Sequence, residues 1–152
     1  MPVKSLVVRV YVHATEDEAK VLEALRNVAP LDHIEEAEVE VEEYEGHYGN
    51  PIKVYTFKLR GQAARRVAQE IISKMSSLDR SQVASSLEER VDRSGTLHIR
   101  LSKQEALHGR VILYESDDVI KVEIGYTGGR RRAVEEYREM LKGDTQRSST
   151  SR

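Results

Sequence analysis

From residue 4 to residue 14 the chain alternates with a period of two. Leu6, Val8, Val10 and Val12 fall on one side, and Val7, Arg9, Tyr11 and His13 on the other. Successive side chains of an extended chain point to opposite faces, so this alternation predicts a half-buried strand. Thr15-Glu16-Asp17-Glu18 then has the form of a capping box, with Thr15 as N-cap and Glu18 reaching back to it. The helix it opens gathers Leu22, Leu25, Val28 and Ala29 on one face, and Pro30 stops it. Val39 and Val41, set among glutamates, predict a second strand whose Glu side chains lie on a wet face. The run from Gly46 to Pro51 is dense in turn formers. Ile52 to Arg60, rich in β-branched and aromatic residues, predicts a third strand that Gly61 ends.

In residues 62–77 the period changes. Val67, Ile71 and Met75 recur, with Ala64, Ala68 and Ile72 alongside, which predicts a helix. Asp79-x-x-Gln82 has the pattern of a cap for a shorter helix with Val83, Leu87 and Val91 inside, and Asp92 to Gly95 reads as a turn. Strands are expected at Thr96–Leu101, Arg110–Tyr114 and Val119–Ile124, the last two joined through Ser116-Asp117-Asp118. After Gly128-Gly129, residues 131–142 place Val134, Tyr137 and Leu141 on one helical face. Residues 143–152 are polar and low in complexity, so a disordered tail is expected there. The order predicts one α+β domain over 1–142: a mainly antiparallel sheet, helices on one face, and a C-terminal helix.

A sheet covered on one side leaves its other side available. The alternation places Arg9, Tyr11 and His13 outward, with His98 and Arg100 from the fourth strand and Lys121 and Glu123 from the last. The third strand is ambiguous between Lys53, Tyr55 and Phe57 on one side and Ile52, Val54 and Thr56 on the other. Rings that stack on unpaired bases and cations that meet phosphates are the means by which sheet surfaces bind RNA. The plainer reading is an ordinary polar face, which every open antiparallel sheet has.

Composition narrows the classes. With 33% charged residues the chain has a heavily charged surface, and no apolar run approaches the roughly 18 to 20 residues of a membrane span. Cysteine is absent, which removes disulfides and thiol chemistry and points to the cytoplasm. The scarcity of Asn and Gln would fit a thermophilic source, though only weakly. The formal net charge of −2 does not announce a nucleic-acid binder, but its distribution is uneven. Glu35 to Glu45 holds seven Glu and no Lys or Arg, so the remainder is net basic, with a late cluster at Arg130-Arg131-Arg132.

The residues offer little for catalysis. None of the five His pairs with another at metal-site spacing, so no metal or other cofactor is expected. Asp117-Asp118 sits where a hairpin turn is predicted, which outweighs a nuclease reading. There is no nucleophile elbow and no phosphate-binding P-loop. Gly128-Gly129 before three Arg is more often a flexible joint beside solvated charge.

Four segments together resemble a family of small archaeal proteins described as predicted RNA-binding proteins linked to the RNA exosome. They are His13 to Asn27, then Gly46 to Ile52, then Glu89 to Asp92 through Gly95, Leu97 and Arg100 to Lys103-Gln104, Ala106 and Gly109, and last Asp117 to Val122. They lie in order within residues 3–124. The chain departs from the pattern at Ser102, where an acidic residue is expected, and near His98, where an aromatic is expected. The resemblance implies a fold like that of ribosomal protein L5 and RNA binding; it supplies no catalytic residues.

The expectation is therefore a non-catalytic RNA-binding protein, an accessory factor of RNA processing or exosome-linked degradation. Single-stranded or structured RNA would be its ligand, and proteins of the RNA-processing machinery its partners. The expected site is Arg9, Tyr11, His13 and Arg100 on the sheet, with Lys103 and with Arg130, Arg131 and Arg132 at the final helix. Three cations at a helix start oppose the helix dipole, a conflict that a bound phosphate relieves, unless the helix begins later and the Arg side chains are solvated. The alternative is a protein–protein assembly or homodimerisation module without RNA contact, which the acidic stretch at 35–45 favours.

Overall fold

A computed structural model describes residues 3–46 and 48–150, with side chains through Lys142; His47 of the expected loop lies outside the described residues. The elements are β1 (Val3–His13), α1 (Glu18–Val28), β2 (Glu38–Glu45), β3 (Pro51–Arg60), α2 (Gly61–Lys74), α3 (Ser77–Ser85), α4 (Leu87–Arg90), β4 (Leu97–Leu101), α5 (Lys103–Leu107), β5 (Ile120–Tyr126) and α6 (Arg130–Thr150). The strands form one sheet in the order β2-β3-β1-β5-β4. Every neighbouring pair is antiparallel. No described helix is long and apolar enough to cross a membrane.

The alternation read in β1 sets the two faces. Leu6, Val8, Val10 and Val12 are buried and join the core, and with them lie Phe57 and Leu59 of β3, Val122 and Ile124 of β5, and Leu97, Ile99 and Leu101 of β4. Onto this face pack Val21, Ala24, Leu25 and Val28 of α1 and Ala64, Val67, Ala68 and Ile71 of α2. The α1 stripe thus runs through Val21 and Ala24, while Leu22 stays only half-buried. Fully burying one such aliphatic side chain stabilises the fold by about 1.5–3 kcal/mol. Among the described residues Tyr137 is one of the largest that are fully buried, and its hydroxyl lies 2.7 Å from the carbonyl oxygens of both Gly95 and Ile124. It ties α6 to the turn before β4 and to β5, and burial pushes its phenol pKa well up.

The register resolves the third strand. Val10 lies opposite Tyr55, Val8 opposite Phe57 and Val12 opposite Lys53, so those three face the helices. Ile52, Val54 and Thr56 face outward with Arg9, Tyr11 and His13. The inner placement suits Tyr55, whose hydroxyl donates to Glu18 on α1, and Lys53, which pairs with the same carboxylate at 3.0 Å. The Tyr55 bond and then the Lys53 contact hold the Glu18 pKa below its ordinary value.

Three expectations are corrected. The cap of α1 is Asp17, whose carboxylate accepts from the Ala19 N–H at 3.0 Å, while Thr15 is exposed in the preceding turn. Glu16, not Glu18, reaches back, accepting from the His13 N–H at 2.9 Å. At α3 the cap is Ser76, which accepts from the Asp79 N–H, and the Asp79 carboxylate accepts from the Leu113 N–H instead. Residues 110–114 form no full strand. They meet β4 through a single bridge, Leu101 to Leu113, with Ser102 N–H to Ile112 and Tyr114 N–H to Arg100 closing around it. The chain from 102 to 119, with α5 inside it, is therefore a connection that lies along the outer edge of β4. The tail expected at 143–152 falls on the end of α6, drawn to Thr150, and on residues 151–152, which lie outside the described residues.

Two glycines answer to geometry. Gly61 has φ +61, which lets the chain pass from β3 into α2 without a linker. At Gly125 an added Cβ would collide with the Ser5 hydroxyl, at the point where the register of β1 shifts against β5.

The capping geometry makes a prediction. Asp17→Ala lowers stability by about 1 kcal/mol, whereas Thr15→Ala leaves it unchanged. Urea or thermal unfolding of the two variants checks this, and the reverse order would restore the Thr15 cap.

Candidate nucleic-acid interface

The outward residues of the five strands form one continuous surface. Across it, from β2 to β4, run Glu42, Val54, Tyr11, Arg9, Lys121 and Arg100, with Tyr44 and His13 above and Lys58, Glu123 and His98 below. The central side chains Val54 and Thr56 are buried, whereas Arg9, His13, His98 and Arg100 keep between 31% and 45% of their side-chain surface exposed. The charges on this face are cross-paired. Arg9 meets Glu123 at 3.1 Å, the Lys121 ammonium lies 5.3 Å from the Tyr11 ring centre, and Arg100 donates to the Ser116 carbonyl at 2.8 Å. Half-exposed pairs of this kind contribute only about 0–1 kcal/mol each, so an incoming phosphate can exchange for a carboxylate at small cost.

Below His98 the Asp92 carboxylate closes the β4 turn. Burial pushes its pKa up, but this is outweighed by hydrogen bonds from His98, Ser94 and the Thr96 and Ser94 N–H groups, which hold it well below the carboxylate range.

At the upper end, where β1 finishes and β5 starts, lies a polar knot. The Lys103 ammonium, its side chain only 10% exposed, donates to the Tyr11 carbonyl at 2.8 Å, to Glu16 at 2.9 Å and to Asp118 at 2.8 Å. His13 meets the same Asp118 oxygen at 3.2 Å. Burial pushes the Asp118 pKa up, and the Lys103 hydrogen bond and charge, with His13, more than reverse this and hold it below its ordinary value. Ligand-type atoms of His13, Glu16 and Asp118 lie within 4.8 Å of one another, a grouping that sequence spacing does not reveal. The Lys103 ammonium already supplies the positive charge among these carboxylates. Ser102, the departure from the family pattern, is the buried N-cap of α5 and accepts from the Glu105 N–H at 3.0 Å, a task an acidic side chain also performs.

The opposite end of the sheet is basic. Val3 pairs with Tyr126 and Ser5 with Arg60, so the start of β1, the end of β3 and the end of β5 lie together there. A shallow groove of about 380 Å³ is lined by Lys4, Ser5, Val7, Lys58, Leu59 and Arg60. From the same end start α2 and α6, neither with an acidic residue in its first turn. The final helix begins at Arg130, so all three arginines stand in its first turn. Arg130 is tied down, donating to the Glu88 and Val91 carbonyls at 2.9 and 3.2 Å; Arg131 and Arg132 are exposed and make no ion pair among the described residues.

The expected residues are therefore brought together only in part. Arg9, Tyr11, His13 and Arg100 share the outer face; Lys103 is turned into the knot; Arg130 to Arg132 stand at the far end of the sheet. Sequence reading missed Tyr44, which is 51% exposed on the outer face, and the union of Lys4, Lys58 and Arg60. Only the pairing register places them: Tyr44, Lys58 and Arg60 lie in strands whose alternation is not clear by itself, and Lys4 stands where β1 shifts register against β5.

Residues 5–126 match the model of a family described as RNA binding. The chain belongs to this RNA-binding family. It is 37% identical over 142 residues to an RNA-binding protein of Pyrococcus abyssi, covering 90% of this chain and 92% of that one. Among solved structures it is similar to a DUF54 protein of Methanothermobacter thermautotrophicus, with TM-score 0.73, 35% identity and 93% and 99% of the two chains covered. A protein of Sulfolobus solfataricus assigned to DUF54 superposes with TM-score 0.77 at 25% identity, covering 91% and 98%. The family match spans the sheet and its helical layer and stops at the end of β5, so Arg130 to Arg132 lie beyond it.

The knot predicts an acid response. A carboxylate whose folded pKa is depressed stabilises the fold fully above its unfolded value, about 3.9 for Asp, and loses that contribution as pH falls through the folded value. Asp118→Asn is therefore less stable than the parent at neutral pH, and the gap narrows below about pH 4. Urea midpoints measured from pH 7 to pH 2.5 check it; a gap that widens in acid would reverse the sign.

Proposed function

We propose that this chain binds RNA on the uncovered face of its sheet and contributes no catalytic step. The observation that carries the reading is the outer face itself, where Tyr11 and Tyr44 lie among Arg9, Lys121 and Arg100 and the surface runs down to the cations at its lower end. Unpaired bases stack on exposed rings, and the sugar–phosphate backbone follows the positive charge. In this reading Arg131, Arg132, Lys58 and Arg60 meet phosphates. Arg9 and Arg100 exchange a carboxylate or carbonyl partner for RNA. His13 and Lys103 hold the upper end in shape, and Arg130 fixes the start of α6. Binding of the backbone at two helix starts is supported by the positive dipole ends of α2 and α6.

The proposal extends to an accessory role in RNA processing or exosome-linked degradation in the cytoplasm and to a fold like that of ribosomal protein L5. The processing role and the L5-like fold rest on the resemblance of the four sequence segments, and the cytoplasm on the absence of cysteine. Co-purification of exosome-type proteins with the tagged chain, surviving nuclease treatment, tests the degradation link.

RNA binding is tested by titrating single-stranded and duplex RNA over a range of salt. Replacing Arg131 and Arg132 with Ala weakens binding to all sequences alike and lowers the salt slope by about 1.4, because each phosphate contact on a single strand contributes roughly 0.7. Tyr11→Ala costs about 1–3 kcal/mol on single-stranded RNA and much less on duplex, because only unpaired bases can stack. Unfolding curves confirm that the half-buried Tyr11 variant is folded. If both variants bind single strands as tightly as the parent, this surface is not the RNA site.

A further inference from the structure

The two edges of the sheet are treated differently. The outer edge of β4 is occupied by residues 112–114, which bridge Leu101 and hydrogen-bond on both sides of it. Among the described residues nothing pairs with the outer edge of β2. All eight residues Glu38–Glu45 are exposed, and among the described residues their backbone makes no hydrogen bond beyond the pairing with β3. Charge alone would guard such an edge against stray pairing. Here, however, the side of β2 that faces the helical layer is apolar in its first half: Val39 and Val41, paired with Phe57 and Tyr55, are 47% and 52% exposed because the layer stops short of them, and Glu43 and Glu45 follow on the same side. The other side is acidic, with Glu38, Glu40 and Glu42 in a row. Only Glu38 and Glu40 meet cations there, at 3.9 and 3.4 Å, and Glu42, Glu43 and Glu45 have no ion pair among the described residues.

We propose that the free edge of β2 is a docking strand for an extended basic segment of another protein, in which aliphatic residues alternate with Lys or Arg. The added strand would complete the backbone ladder. Its aliphatic residues would cover Val39 and Val41 on the helical side, and its cations would face Glu38, Glu40 and Glu42 on the other. A second copy of this chain does not fit, since antiparallel pairing of β2 with itself sets Glu opposite Glu on the outer side. RNA does not fit either, because the row of carboxylates repels phosphate. The proposal uses the backbone edge of β2, but Glu40 and Glu38 pair with Lys58 and Arg60, which the RNA reading also uses, so peptide binding is measured in the absence of RNA.

The probe is a labelled eight-residue peptide alternating Val and Lys, titrated into the full chain by fluorescence anisotropy. Two controls accompany it: a peptide of the same composition with Val and Lys in blocks, and one with Glu in place of Lys. The alternating peptide is expected to bind at least about tenfold more tightly than the block peptide, and amide shifts in the NMR spectrum are expected to concentrate at 38–45. The pair Glu40→Lys and Glu42→Lys should weaken it by about tenfold or more, and Val39→Ser with Val41→Ser should weaken it while leaving its salt dependence in place. These positions are exposed, and unfolding curves are run on each variant. Equal binding of the alternating and block peptides, shifts centred elsewhere, or no binding at low salt would overturn the proposal. Dimerisation of the chain that Glu40→Lys abolishes would overturn it in favour of a second copy.

Discussion

The period-two alternation of β1 is the constraint on which the rest of the molecule depends. β1 is the middle strand, paired on both sides, and its even-numbered residues are the seam against which α1 and α2 close. Once Leu6, Val8, Val10 and Val12 point inward, the register transmits the choice outward to β3 and β5 and from them to β2 and β4. A slip of one residue would exchange the two faces of the whole sheet. The exposed surface is thus set by the core rather than chosen independently of it. Arg9, Tyr11 and His13 are outward because their neighbours cannot be.

This coupling explains what could be read without the structure. The outward sets of β1, β4 and β5 were legible because aliphatic residues occupy every second position in each. β3 was not, because both of its sets hold residues suited to burial. Val54 and Thr56 are buried within the outer face by neighbouring strands, while Tyr55 and Lys53 stay polar on the inner face by reaching Glu18. The α1 cap was misplaced by two residues because Thr15, Glu16, Asp17 and Glu18 all have side chains able to serve a helix start. Only backbone geometry picks Asp17. The strand expected at 110–114 has a strand's composition, but its bridge sets Leu113 opposite Leu101, the last residue of β4, so residues 110–112 run past the partner, where the chain turns into α5.

The candidate site was legible in its parts and not in its layout. Arginines at the start of α6 and cations at the end of β3 are plain in the chain, but that they share one end of the sheet with Lys4 follows from antiparallel pairing alone. The outcome is a molecule polarised along its strands and across its edges: cations at the end where α2 and α6 start, a saturated ion cluster at the other, and carboxylates along β2. A net charge near zero conceals this separation, which is why the bulk figure gave so little guidance.

The Lys103 ammonium has a further consequence, for the order in which the molecule assembles. Its acceptors on Tyr11 and Glu16 lie 92 and 87 residues away along the chain, and that on Asp118 only 15. Contacts so remote close only after the intervening chain has been gathered, so their entropic cost is met late. On a ribosome the first strand and helix emerge long before their cation does. Until residue 103 is synthesised, Glu16 has no ammonium to meet, and until β5 is seated the cluster lacks its third wall. The knot therefore registers completion of the sheet, and a nascent or truncated chain that ends before β5 carries only the part of the outer face that β1, β2 and β3 supply, without the clasp that shapes its upper end.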